Sequence, residues 1–191
     1  MRVGVVACGA LALHVRRLSL ERGWDVEIRA LPPQLHNRPE RIAAAVDAEL
    51  RSLGCDRLAV AYADCGTYGA LDSVLAQHGA ERLRGDHCYD VLAREEVREA
   101  LANEPGTYFL TDFLVKTFDV NVARPLRLPD LRDAYFANYT RVLWLAQEPS
   151  AELLVHAERA AALMGLPLEI REVGTGGLER QLEDLVGSPG R

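Results

Sequence analysis

Short apolar runs of strand length alternate along this chain with longer stretches whose apolar residues recur every three or four positions. "RVGVVA" leads into "ALALHVRRLSLERG", and "DVEIRAL" is followed by "RPERIAAAVDAELRSLG", where Ile42, Val46, Leu50 and Leu53 share one helical face. "RLAVAYA" is a third strand, followed by a helix from about Thr67 to His78; "AERLRG" is a weaker strand, and "DVLAREEVREALANEPG" a helix with a Pro-Gly stop. "TYFLT" reads as strand, with the residues after it helical. "LRDAYFAN", "TRVLWLA", the stretch from Ser150 to Met164, "PLEIREV" and the residues from Leu178 continue the alternation to the end.

Parallel neighbours need a crossover, and a helix supplies one. The expected fold class is therefore α/β: a three-layer, mainly parallel sheet with helices on both faces, Rossmann-like. With 191 residues the chain is read as a single domain, 1–191, with a flexible tail at 187–191. A chain this long can bury a large core without a metal or disulfides, so a metal, if bound, serves chemistry more than folding.

A net charge of -6, with Lys116 the single lysine among 22 basic residues, leaves no basic run to track a phosphate backbone, so nucleic acid is not expected as a partner. "VGVVA" is strand-length and gives way to helical pattern, so the start reads as a buried strand and not as a signal peptide. No run approaches the roughly 18 apolar residues of a membrane span. A cytoplasmic location is expected.

In a parallel α/β sheet, ligands collect at the carboxyl ends of the strands. Cys8 follows the first strand, Cys65 the third, and Cys88 the weak fourth, so all three thiols are expected at that edge. Zinc takes thiolate and imidazole ligands tetrahedrally, and three cysteines would leave one position for water or substrate. An iron-sulfur cluster held by three cysteines would leave one iron open in the same way. No C-x-x-C spacing supports either reading, and cysteine also serves as a small buried hydrophobe, the role expected for Cys55. A third reading makes Cys65 a nucleophile at a helix start, with His87 as base and Asp64 or Asp90 to orient it.

"LPPQLHNRPERI" places His36 and Asn37 in a loop after the second strand, where they could orient a polar substrate together with Thr67; Asn37 could equally cap the next helix. Asp112 and Lys116 are one helical turn apart, which most simply makes a surface ion pair; a buried Asp112 at the head of a helix is the alternative.

Six stretches together resemble a prokaryotic family known as a domain of unknown function. They are Cys8-Gly9, Leu31 to Pro39, Asp64 to Thr67, His87 to Asp90, Pro105 to Leu114, and Tyr135 to Gln147. Asp90 stands where the family pattern leads one to expect glutamate, which shortens that arm. Genes of this family often lie near corrinoid-dependent methyl-transfer systems, so the resemblance implies one-carbon or methyl-group metabolism by association.

Two functions of different class follow. One is a soluble enzyme acting on a small molecule, with zinc or an iron-sulfur cluster on Cys8, Cys65 and Cys88, substrate near His36, Asn37 and Thr67, and His87 and Asp64 as catalytic groups. The other is a non-catalytic accessory protein that binds a corrinoid, a metal or a partner methyltransferase. A cysteine hydrolase or transferase stands third.

Overall fold

The structure, a computed structural model, describes residues 1–187. Among these residues the alternation of the sequence becomes seven strands and eight α-helices, and every strand pairing is parallel. The α/β, Rossmann-like class expected from the sequence is the class the chain adopts. The strands fall into two sheets, and the chain into two compact units: residues 1–91 with the C-terminal segment from Gly177, and Leu92–Gly176. The tail expected at 187–191 lies, apart from Gly187, outside the described residues.

In the first unit the sheet has the order β2-β1-β3-β4, formed by β1 (Val3–Cys8), β2 (Val26–Leu31), β3 (Arg57–Ala61) and the two-residue β4 (Glu81–Arg82). β1 is buried at all six positions because it has a neighbour strand on each side and helices against it, which is why "VGVVAC" shows no polar alternation. Helix α1 (Ala12–Arg22) stops at Gly23, whose left-handed φ of 65° lets its N–H return to the Leu20 carbonyl. Helix α2 (Ile42–Ser52) buries Ile42, Val46 and Leu50 on one face, as their spacing requires. Burying each such side chain contributes about 1.5–3 kcal/mol.

Asn37 does not cap α2. Two short 3-10 turns, Pro33–Asn37 and Pro39–Arg41, intervene, each begun by a proline whose fixed φ suits a tight turn, and α2 begins only at Ile42. Helix α3 (Ala70–His78) likewise starts three residues later than Thr67, because residues 65–69 are taken up by a turn described below. Helix α4 (Cys88–Asn103) is broken at Ala93, where φ is -151° and ψ 60°, close to the boundary between the units at Val91 and Leu92.

The second unit carries the sheet β5-β6-β7, from β5 (Thr107–Thr111), β6 (Arg141–Ala146) and β7 (Leu168–Glu172). Helices α5 (Asp112–Phe118), α6 (Arg132–Phe136) and α7 (Ala151–Met164) connect them; α8 (Gly176–Leu182) comes next in the chain and, from Gly177, belongs to the first unit. The Ser150 hydroxyl accepts the Leu153 N–H at 3.2 Å and caps α7, the exposed-donor remedy expected of serine just before a helix. The core gathers around Trp144, with Leu110, Val115, Phe118, Leu153, Ala157 and Met164.

Asp112 is buried, not paired with Lys116 on the surface. Its carboxylate accepts Trp144 Nε1–H at 2.8 Å, Gln147 N–H at 3.1 Å and Glu148 N–H at 2.8 Å, while its own N–H donates to Gln147 Oε1 at 3.0 Å. This network engages both carboxylate oxygens and locks the ends of β5 and β6 together. Among the described residues, no helix is long and apolar enough to cross a membrane.

Candidate thiol site

Cys8 is the last residue of β1, Cys65 lies in the turn after β3, and Cys88 is the first residue of α4 after β4. All three belong to the first unit and stand at the carboxyl edge of its sheet, where the strand order predicted them. They also feel one another: a charge on Cys8 or Cys88 disfavours a charge on Cys65, and a charge on Cys8 disfavours one on Cys88.

The turn that carries Cys65 is built around Asp64. Its carboxylate accepts Thr67 Oγ1–H at 2.9 Å and the N–H groups of Gly66, Tyr68 and Gly69 at 3.1, 3.2 and 3.3 Å. Those bonds sustain positive φ at both Cys65 (52°) and Tyr68 (50°), a backbone state that side-chain-bearing residues seldom adopt. Gly66 and Gly69, at φ 81° and 87°, take the two places where a Cβ would add to the strain. The Cys65 N–H donates to the Asp86 carbonyl at 2.7 Å and the Asp64 N–H to the Gly85 carbonyl at 3.0 Å, fastening this turn to the segment that leads into Cys88. At the head of α4, Asp90 Oδ2 accepts the N–H groups of Asp86 and His87, at 3.0 and 2.9 Å.

These bonds reassign several residues. Burial pushes Asp64 up, but the bonds from Thr67, Tyr68, Gly69 and Gly66 outweigh it and hold the carboxyl below its usual value, so Asp64 is an ionised turn-former and a poor proton donor. The buried Thr67 spends its hydroxyl on Asp64. Asp90 serves the backbone, and the exposed His87 packs its ring against Tyr89, centroids 4.9 Å apart. Asn37 is exposed at the end of its 3-10 turn.

His36 does reach one of the thiols, Cys8. Its Nε2 is 3.8 Å from Cys8 Sγ, and its Nδ1–H donates to the Pro33 carbonyl at 2.9 Å. A carbonyl can only accept, so Nδ1 carries the proton, and in the neutral ring Nε2 presents a lone pair to Cys8. Burial lowers the His36 pKa, opposed by the Pro33 bond, with His87 lowering it further. Gly9 allows the loop this close: a Cβ there would stand 2.8 Å from both the Leu31 carbonyl oxygen and Pro33 Cδ.

Tyr62 completes the cluster, and the sequence reading missed it. Its ring stacks on His36, centroids 5.8 Å apart and planes 12° from parallel, and the residue is fully buried. The hydroxyl has no hydrogen bond of normal geometry; its near neighbour is the Cys8 sulfur, a weak acceptor while protonated. A tyrosine at the end of a buried strand needs a partner for its polar tip, and that was the available signal in "RLAVAYA".

Burial sets the thiols' protonation. It pushes Cys8 up to about 11, against bonds from Ala10 and Leu11, and Cys88, half-exposed by surface yet densely surrounded, up to about 12. Cys65 is raised by burial and then by Cys88 and Cys8; Tyr62 by burial and then by Cys8 and Cys65. At neutral pH all three are thiols, unlike an activated nucleophile, whose pKa is depressed. A bound cation reverses this balance by deprotonating thiols outright. As they stand, no three His, Cys, Asp or Glu side chains among the described residues are arranged to hold a metal ion, so such binding would have to draw the thiols inward.

No curated protein and no solved structure matches this chain. Residues 30–182 match the family described as "Protein of unknown function (DUF1638)", a span that includes every motif quoted above except Cys8-Gly9. Since that match covers most of the sequence, the chain belongs to the DUF1638 family of proteins of unknown function.

Proposed function

We propose that this protein is a metal- or iron-sulfur-dependent enzyme acting on a small molecule, with Cys8, Cys65 and Cys88 as its ligands. The observation that carries the reading is that three thiols stand at the carboxyl edge of one parallel sheet, near enough that a charge on one disfavours a charge on another, beside a neutral imidazole and an unpartnered tyrosine hydroxyl. Buried thiols so placed cannot ionise together without a cation, whereas one bound ion offsets their repulsion and gives the Tyr62 hydroxyl a strong acceptor. The ion would supply Lewis acidity to a sulfur, carbonyl or methyl-carrying group. Resemblance to a family often encoded near corrinoid-dependent methyl-transfer systems makes methyl-group metabolism the first context in which to seek the substrate.

Metal and acid-labile sulfide content, with an absorption spectrum, should be measured on protein prepared without oxygen. About one zinc or one set of irons per chain, lost on Cys65→Ser, supports the proposal. Protein that is metal-free as isolated and takes up neither zinc nor iron anaerobically sinks it.

A further inference from the structure

We propose that His36 is the nitrogen ligand of the thiol site, its Nε2 bound to the same ion as Cys8, with Tyr62 donating its hydroxyl hydrogen to the ligating Cys8 sulfur. This rests on the reading of the cysteines as ligands, and it adds the chemical class of the ion: a borderline divalent metal such as zinc, which accepts mixed thiolate and imidazole donors, in preference to an all-thiolate iron-sulfur cluster.

Three observations converge. Zinc bonds of about 2.3 Å to sulfur and 2.0–2.1 Å to nitrogen, at a tetrahedral angle, place the two donor atoms about 3.6 Å apart. Cys8 Sγ and His36 Nε2 are already 3.8 Å apart. The Pro33 carbonyl holds Nδ1–H, the outer bond typical of a metal-binding histidine, and thereby fixes the tautomer whose bare nitrogen faces Cys8. Finally, the Tyr62 hydroxyl is buried against the Cys8 sulfur without a normal acceptor, a donor that a thiolate satisfies and a thiol does not. Cys8 and His36 are thus the preset half of the site. Cys65 and Cys88 close on the ion from their turn and helix start, each ligating thiol gives its proton to solvent, and a substrate group is then taken on as a fifth donor or in exchange for one of the four.

Cobalt(II), a coloured stand-in for zinc, tests this on reduced, metal-free full-length protein. The wild type should bind one ion with visible bands of tetrahedral intensity and thiolate charge-transfer absorption. His36→Gln should weaken binding and alter the visible bands. Tyr62→Phe, which keeps the ring stack, should keep the band pattern and weaken binding by about 10- to 100-fold, the range typical of an outer partner. Should His36→Gln not fold, 15N spectra of the wild-type imidazoles before and after zinc give the same information: the His36 Nε2 resonance must shift on loading. Cobalt binding unchanged in His36→Gln but abolished in Cys65→Ser, or a His36 resonance unmoved by bound zinc, overturns the His36 assignment and leaves the three-cysteine reading standing. Wild-type protein that takes up no cobalt or zinc overturns the His36 assignment together with the zinc reading; the three-cysteine reading falls with it only if iron is not taken up either.

Discussion

Replacing Asp112 separates the contribution of one buried carboxylate from the packing around it. Its Oδ1 accepts Trp144 Nε1–H and the Gln147 N–H, and its Oδ2 accepts the Glu148 N–H. In Asp112→Asn the side-chain oxygen can stay at the Oδ1 position and retain two of those bonds, but the new amide nitrogen then faces the Glu148 N–H donor to donor. Losing one acceptor for a buried donor costs about 1–3 kcal/mol. Asp112→Ala removes all three acceptors, and allowing for water entering the space left behind, the cost is about 3–5 kcal/mol. In a unit of this size each kcal/mol is worth about 4–8 °C, so Asp112→Asn should lower the melting midpoint of the second unit by about 4–24 °C and Asp112→Ala by more. The two tryptophans lie in different units, so a Trp24→Phe background leaves buried Trp144 as the only indole reporting, and it reports from within the network itself. An Asp112→Ala protein that melts within about 2 °C of its parent, or an Asp112→Asn protein less stable than Asp112→Ala, would refute the reasoning that unsatisfied donors set the cost.

Two further predictions concern the thiol site. Cys8 and Cys88 are raised from the ordinary value of 9.0 to about 11 and about 12, so the folded state keeps protons that the unfolded state has lost. Their contribution to stability is therefore fully present below pH 9 and lost as pH rises through 11 and 12; urea midpoints of metal-free protein should fall over that window, and iodoacetamide should label these thiols slowly at pH 8 until the protein is denatured. Labelling at the rate of a free cysteine would contradict the assignment. Gly9→Ala should destabilise the first unit by about 1–3 kcal/mol, because the added methyl group meets main-chain and ring atoms that cannot turn aside. It should also weaken metal uptake by pushing the His36 loop from Cys8, whereas unchanged stability and affinity would show that the contact is slack.

Periodicity made the class of fold readable because the elements bury their faces in different ways. β1 is enclosed on every side and reads as unbroken hydrophobicity, and α2 presents Ile42, Val46 and Leu50 at helical spacing. The same reasoning put Cys8, Cys65 and Cys88 at one sheet edge, since parallel strands joined through helices must all end on the same side. It could not locate the start of α2. Two prolines fold that approach into 3-10 turns, and helical periodicity is silent about which residue begins the first full turn.

By itself, then, the sequence determined the parallel α/β architecture, the edge that carries the cysteines and the presence of a polar loop after β2, because each follows from the local spacing of apolar residues and turn formers. Tertiary structure decided how the polar groups are shared out. Asp64 and Thr67, read from the sequence as chemistry, are consumed by one turn's N–H groups and by each other, and Asp112 is buried beneath Trp144 instead of pairing along its helix. Tyr62 and His36 are 26 positions apart and become stacked neighbours at Cys8 only when β3 and the loop after β2 lie on either side of β1. A hydrogen bond depends on atoms that converge within about 3 Å, and residues distant in sequence reach such distances only through the packing of the whole unit.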